Sequence, residues 1–110
     1  MNLTVTSLPE CVVVAPAGRL TASTAPRLRD ELNDRIQSGQ NKLAIDMTEL
    51  EFIDSSGLGA LIGGLKVARL AGGDLRIAAV PTAVQRVLAL TNLDRVLKSY
   101  PDARAAYAND

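Results

Sequence analysis

The sequence predicts an α/β domain: a small mixed β-sheet covered by about four helices, in the order β-β-α-β-α-β-α-β-α. Three observations carry this expectation. Short apolar or alternating runs, "LTVTS", "CVVVAPAG", "KLAIDM" and "DLRIAAV", are separated by segments whose apolar residues recur every three or four positions. The first two runs are joined only by Leu8-Pro9-Glu10, which reads as a hairpin turn. The chain has 110 residues, enough for one core, so residues 1–110 are expected to form a single domain.

The elements follow in order. Residues 3–7 and 11–18 form the two hairpin strands, with Pro16 and Gly18 expected to end the second. A first helix spans 24–39. Ser23 or Thr24 caps it, Pro26 suits its first turn, Leu28, Leu32 and Ile36 give it an apolar stripe, and Gly39 closes it. Residues 42–47 form a strand with Leu43, Ile45 and Met47 on one face and Ala44 and Asp46 on the other. A loop leads to a second helix over 56–70, where Leu58, Leu61, Ile62 and Leu65 supply the stripe and "AGGD" the stop. Gly59, Gly63 and Gly64 are read as permitting close approach to a neighbouring element. A strand at 74–80, a helix at 82–90, a short strand in "RVLKSY" and a helix from Pro101 to about Tyr107 complete the chain.

Composition removes several function classes. Lys and Arg number 12 against 12 Asp and Glu, and only Phe52, Tyr100 and Tyr107 are aromatic. Nucleic-acid binders draw on surplus positive charge and on stacking surfaces, so no direct nucleic-acid partner is expected. The absence of histidine removes Ser-His-Asp and Cys-His chemistry, and with a single cysteine it removes the common zinc sites. Cys11, inside an apolar run, reads as core filling. No run approaches the ~18 apolar residues of a membrane span, and "MNLTVTSLPE" is not a secretory leader, so a cytoplasmic protein without membrane attachment or cofactor is expected.

The informative stretch is "LEFIDSSGLGALIGGLK", where Asp54-Ser55-Ser56-Gly57 stands between a strand-like and a helix-like run. Capping is the simplest reading, since Asp and Ser accept hydrogen bonds from first-turn N–H groups. A dinucleotide turn is a second. Gly57 and Gly59 fit it, but Ile62 fills the position where a small residue belongs. Serine phosphorylation is the third. Asp46, Glu49, Glu51 and Asp54 form an acidic run with no base between Lys42 and Lys66, and a phosphate would add roughly −1.5 to −2 charge to it.

"LAIDMTELEFIDSSGLGALIGGLKVARLAGGDLRIAAV" resembles the STAS domain of anti-sigma factor antagonists, as do "AGRLTASTAPRLRDEL" before it and "VQRVLALTNLDRVLKSYPDARAA" after it. The resemblance implies a STAS-like fold and a non-enzymatic regulator. Its unphosphorylated form would bind a serine-kinase anti-sigma factor and release the sigma factor. That kinase would phosphorylate Ser55 and a phosphatase would reset it. Thr21, Asp46, Glu49, Asp54, Ser56, Gly57 and Leu58 would form the phosphosite environment or the partner surface. The alternative is a non-switching STAS scaffold or an accessory subunit of a transporter ATPase. The family often has Gly-Glu-Leu-Asp where this chain has Gly18-Arg19-Leu20-Thr21, so Thr21 keeps an oxygen without its charge and Arg19 reverses a sign.

Overall fold

The computed structural model describes residues 1–110. Strand β1 (Asn2–Ser7) turns through Pro9 into β2 (Val12–Leu20), and helix α1 (Ala25–Gln37) leads to β3 (Lys42–Asp46). After β4 (Leu50–Ile53) come α2 (Ser55–Leu70), β5 (Asp74–Ala78) and α3 (Thr82–Leu90). A 3₁₀ turn (Leu93–Arg95), β6 (Ser99–Tyr100) and a second 3₁₀ turn (Ala105–Tyr107) finish the chain. The sheet runs β1-β2-β3-β5-β6, with β4 paired to β2 beyond the end of β3. Only β1 is antiparallel to its neighbour; the remaining pairs are parallel.

Three expectations are corrected. The second strand does not stop at Pro16 and Gly18 but continues to Leu20. Pro16 is tolerated because the partner on that edge changes around it, from β3 opposite residues 12–14 to β4 opposite residues 18–20. Gly18, at φ +95°, supplies the irregularity where the register shifts. The loop expected before the second helix contains β4, a four-residue strand created by that extension of β2. The fourth helix is one 3₁₀ turn, so the sheet is covered by three α-helices. The segment instead holds Tyr107 against the sheet, its hydroxyl directed at the carbonyls of Leu43 and Asp74.

The helices pack on one face. Leu28, Leu32 and Ile36 of α1, Leu61 and Leu65 of α2, and Val84 and Leu88 of α3 bury against Val12, Val14, Leu43, Ile45, Leu75 and Ile77. Each fully buried leucine contributes about 1.5–3 kcal/mol relative to exposure, so these stripes dominate stability. The N-cap of α1 is Thr24, but its hydroxyl makes no capping bond; it accepts from Thr21 N and donates to the Arg19 carbonyl, each at 2.8 Å.

The other face is closed by the C-terminal strap. Cys11, Val13, Ala44, Ala106 and Tyr107 form a second buried cluster, so Ala44 faces apolar cover instead of water. The Tyr107 hydroxyl donates toward the carbonyls of Leu43 (2.8 Å) and Asp74 (2.9 Å). Burial, aided by the Asp74 charge, pushes its pKa well above the usual tyrosine value. The Arg76 guanidinium lies 4.2 Å from the Tyr107 ring centroid, and its Nη1 donates to the Ala106 carbonyl at 2.7 Å. Arg76 also pairs with Asp74 (3.0 Å) and Asp110 (2.9 Å).

Candidate functional site

The site lies at the carboxyl ends of β2 and β4, where α2 begins. Leu20 pairs with Ile53, and the Asp54 N–H donates to the Leu20 carbonyl at 3.1 Å. Asp54 is the N-cap of α2: one carboxylate oxygen accepts from Gly57 N at 3.0 Å. The other accepts from Ala22 N at 3.2 Å, so one side chain ties the helix start to the loop after β2. Gly57 is buried, and a Cβ there would lie 2.7 Å from both the Leu20 carbonyl oxygen and Ile53 Cγ1. The space a nucleotide-binding glycine leaves for a ligand is filled here by the chain itself, which argues against the dinucleotide reading.

Ser55 is the first residue of α2 and is exposed, while Ser56 is half-buried. The first N–H groups of a helix have no intrahelical partner, so Ser55 sits where positive backbone charge concentrates. Thr21, half-buried, directly precedes Ala22, whose N–H reaches Asp54, and its Oγ1 lies 3.1 Å from Ser23 Oγ. The fold thus gathers Thr21, Asp54, Ser55, Ser56 and Gly57.

The remaining candidates are placed differently. Asp46 ends β3 at the same end of the sheet, but its carboxylate accepts from the N–H (3.0 Å) and hydroxyl (2.6 Å) of Thr48. Glu49 is exposed, and its carbonyl accepts from Gly18 N at 3.0 Å. Leu58 is only 7% exposed and belongs to the core, so its side chain offers no surface to a partner. The helical glycines also need correcting: a Cβ at Gly59 or Gly63 would meet open space, whereas Gly64 faces Leu32 Cδ1 at 2.8 Å. Close approach belongs to Gly57 and Gly64. No group of three or more His, Cys, Asp or Glu side chains converges to hold a metal ion.

One pair escaped the sequence reading. Arg19 is the register partner of Phe52, and its guanidinium lies 4.3 Å from the centre of that ring. Phe52 remains 40% exposed. The acidic run without a base in sequence therefore has one in space, supplied across the β2–β4 pairing. An unrecognised β4 hid this register.

The STAS domain family model matches residues 2–106. A Thermotoga maritima protein assigned to the anti-sigma factor antagonists is 33% identical over 92 residues, covering 83% of this chain and 81% of that one. The chain belongs to the STAS domain family. An anti-sigma F factor antagonist of Paenibacillus polymyxa is 29% identical to this STAS domain, over 81% of the chain and 77% of the relative. In structure, an anti-sigma factor antagonist from Mycobacterium paratuberculosis superposes with a TM-score of 0.86 at 26% identity, covering 97% of this chain and 91% of the other. These STAS relatives are named as anti-sigma factor antagonists. No helix of this STAS domain is long and apolar enough to cross a membrane.

Proposed function

We propose that this STAS protein is an anti-sigma factor antagonist switched by phosphorylation of Ser55, acting in the cytoplasm as a single domain. Its unphosphorylated form binds a serine-kinase anti-sigma factor and frees the sigma factor; the kinase then phosphorylates Ser55, the complex separates, and a phosphatase restores the starting state. The observation that carries this reading is the setting of Ser55, exposed at the first turn of α2 and fixed through Asp54 to the loop after β2. The exposed Glu49 and Glu51 lie on the adjoining segment. A phosphate there adds roughly −1.5 to −2 charge, which docking would have to desolvate beside other negatives. A coupling of about 1–3 kcal/mol lowers affinity about 5–150-fold, enough to reverse occupancy.

Paired capture from native extract tests this, with wild type, Ser55→Ala and Ser55→Asp as baits. Wild type and Ser55→Ala are expected to retain a serine-kinase anti-sigma factor, and Ser55→Asp to lose it. Ser55→Ala is also expected to resist phosphorylation by that kinase; full modification of this variant would move the acceptor to Ser56. The competing reading, a fixed docking module, draws on the basic Arg19 and neutral Thr21 at the rim. It predicts equal retention by wild type and by genuinely phosphorylated protein.

A further inference from the structure

The two ends of the sheet are unlike. β6 is two residues long, preceded by Lys98 and followed by Pro101. Brevity, lysine and proline are the usual means of keeping a sheet edge from pairing with another chain. β1 has none of them. All six of its residues, Asn2–Ser7, pair continuously with β2 without a bulge, none carries charge, and none is proline. It pairs with β2 alone, so its outer edge presents unpaired N–H and C=O groups. Its amino end is held in place by Arg27, whose Nη1 donates to the Met1 carbonyl at 2.7 Å.

We propose that β1 is an interface for a second copy of this chain, pairing antiparallel with the partner's β1 across a two-fold axis at Thr4. The strand is self-complementary in that register. Thr4 meets its own counterpart, Leu3 stands opposite Val5, and Asn2 stands opposite Thr6. On the helix-covered face, Leu3 and Val5 are half-buried and pack at the border of the core, so pairing continues an apolar row that otherwise ends in water. On the other face Asn2, Thr4 and Thr6 are exposed, and small hydroxyl side chains pair well across strands. The chain has a formal net charge of zero, so no long-range repulsion opposes two copies. A foreign peptide finds no charged side chain in β1 to select it, whereas its own copy matches residue for residue. The axis reverses strand direction, so the two Ser55 positions fall at opposite ends of the joined sheet and both stay accessible. One strand pair is a small interface, so association is weak and concentration-dependent.

Sedimentation equilibrium of the full chain across the micromolar range tests the proposal. The apparent mass is expected to rise from 11.6 kDa toward twice that value. Thr4→Lys places two ammonium groups on the axis and is expected to weaken association about tenfold or more, with an unchanged melting temperature in dilute solution. Thr4→Cys combined with Cys11→Ser is expected to form an intermolecular disulfide on oxidation, since residues opposite one another in antiparallel strands lie within disulfide range. If Thr4→Lys destabilises the chain, the cross-link alone decides. A chain that stays monomeric at every concentration leaves its edge to some other strand and overturns the proposal. So does a dimer that Thr4→Lys leaves intact and Thr4→Cys does not trap.

Discussion

Replacing Gly57 by alanine is expected to destabilise the protein by about 3 kcal/mol, lowering the melting temperature by on the order of 10 °C or more. The added methyl would lie 2.7 Å from the Leu20 carbonyl oxygen and 2.7 Å from Ile53 Cγ1. A side-chain end can swing aside, but the Leu20 carbonyl is fixed by the Asp54 N–H it accepts. Relief therefore requires α2 to lift from β2, which also strains the Asp54 bonds to Gly57 and Ala22. The effect reaches function through position: Ser55 would remain exposed but lose its fixed relation to residues 21–24. Gly59→Ala is the matched control. Gly59 is exposed with open space at its missing Cβ, so alanine is expected to add up to about 1 kcal/mol of helix propensity. Thermal denaturation of the two variants side by side checks the argument, and a Gly57→Ala protein melting with wild type would falsify it.

Arg76→Met carries the second large effect, about 2–4 kcal/mol at neutral pH. The Arg76 side chain is only 12% exposed and Asp74 only 17%. Removing the cation leaves Asp74 partly buried with only the more exposed Arg69 as a charged partner, releases the Ala106 carbonyl and uncovers the Tyr107 ring. Asp110 is far more exposed, so its share of the loss is small. Burial alone would raise the Asp74 pKa, but hydrogen bonds from Arg76, the Leu75 N–H and Arg69 outweigh it and hold the carboxyl below its ordinary value. The hydrogen bond from Arg76 lowers Asp110 likewise. A carboxyl depressed in the folded state stabilises the fold above its unfolded pKa of about 3.9, and that stability is lost as pH falls through the lower folded value. The difference between wild type and Arg76→Met is therefore expected to be full at neutral pH and to shrink in strong acid. A gap of the same size at neutral pH and in strong acid would show that packing, and not charge, supplies it.

What was legible in the sequence follows the range of the interactions concerned. The stripe of Leu28, Leu32 and Ile36 and the cap at Asp54 depend on neighbours within one or two helical turns, so periodicity and spacing expose them. β4 does not: Leu50 and Ile53 are buried with Glu51 and Phe52 exposed between them, a pattern with no strand alternation. Its existence depends on β2 continuing past Pro16, a fact about pairing between segments some thirty residues apart. The Arg19–Phe52 stack inherits that invisibility. The strap escaped for a related reason: "PDARAAYAND" has helical composition, but its Tyr107 is held by the carbonyls of Leu43 and Asp74, 64 and 33 residues away in sequence. At the candidate site, Asp54, Ser55 and Gly57 were readable as a local motif. The burial of Leu58 and the open space at Gly59 were not, because helix phase relative to the sheet decides them.

The central place of β2 has a kinetic consequence. One strand pairs with β1 next to it in sequence, and with β3 and β4 after intervals that include the whole of α1. The hairpin can close within microseconds, but the parallel pairings require much longer loops to close before any contact rewards them. The rate-limiting ensemble is therefore expected to be organised around β2, with the strap still loose. Val14→Ala is expected to lower the folding arm of a chevron plot, whereas Arg76→Met is expected to act mainly on the unfolding arm, so that the Arg76 contacts set how long the folded state lasts and β2 sets how soon it arrives.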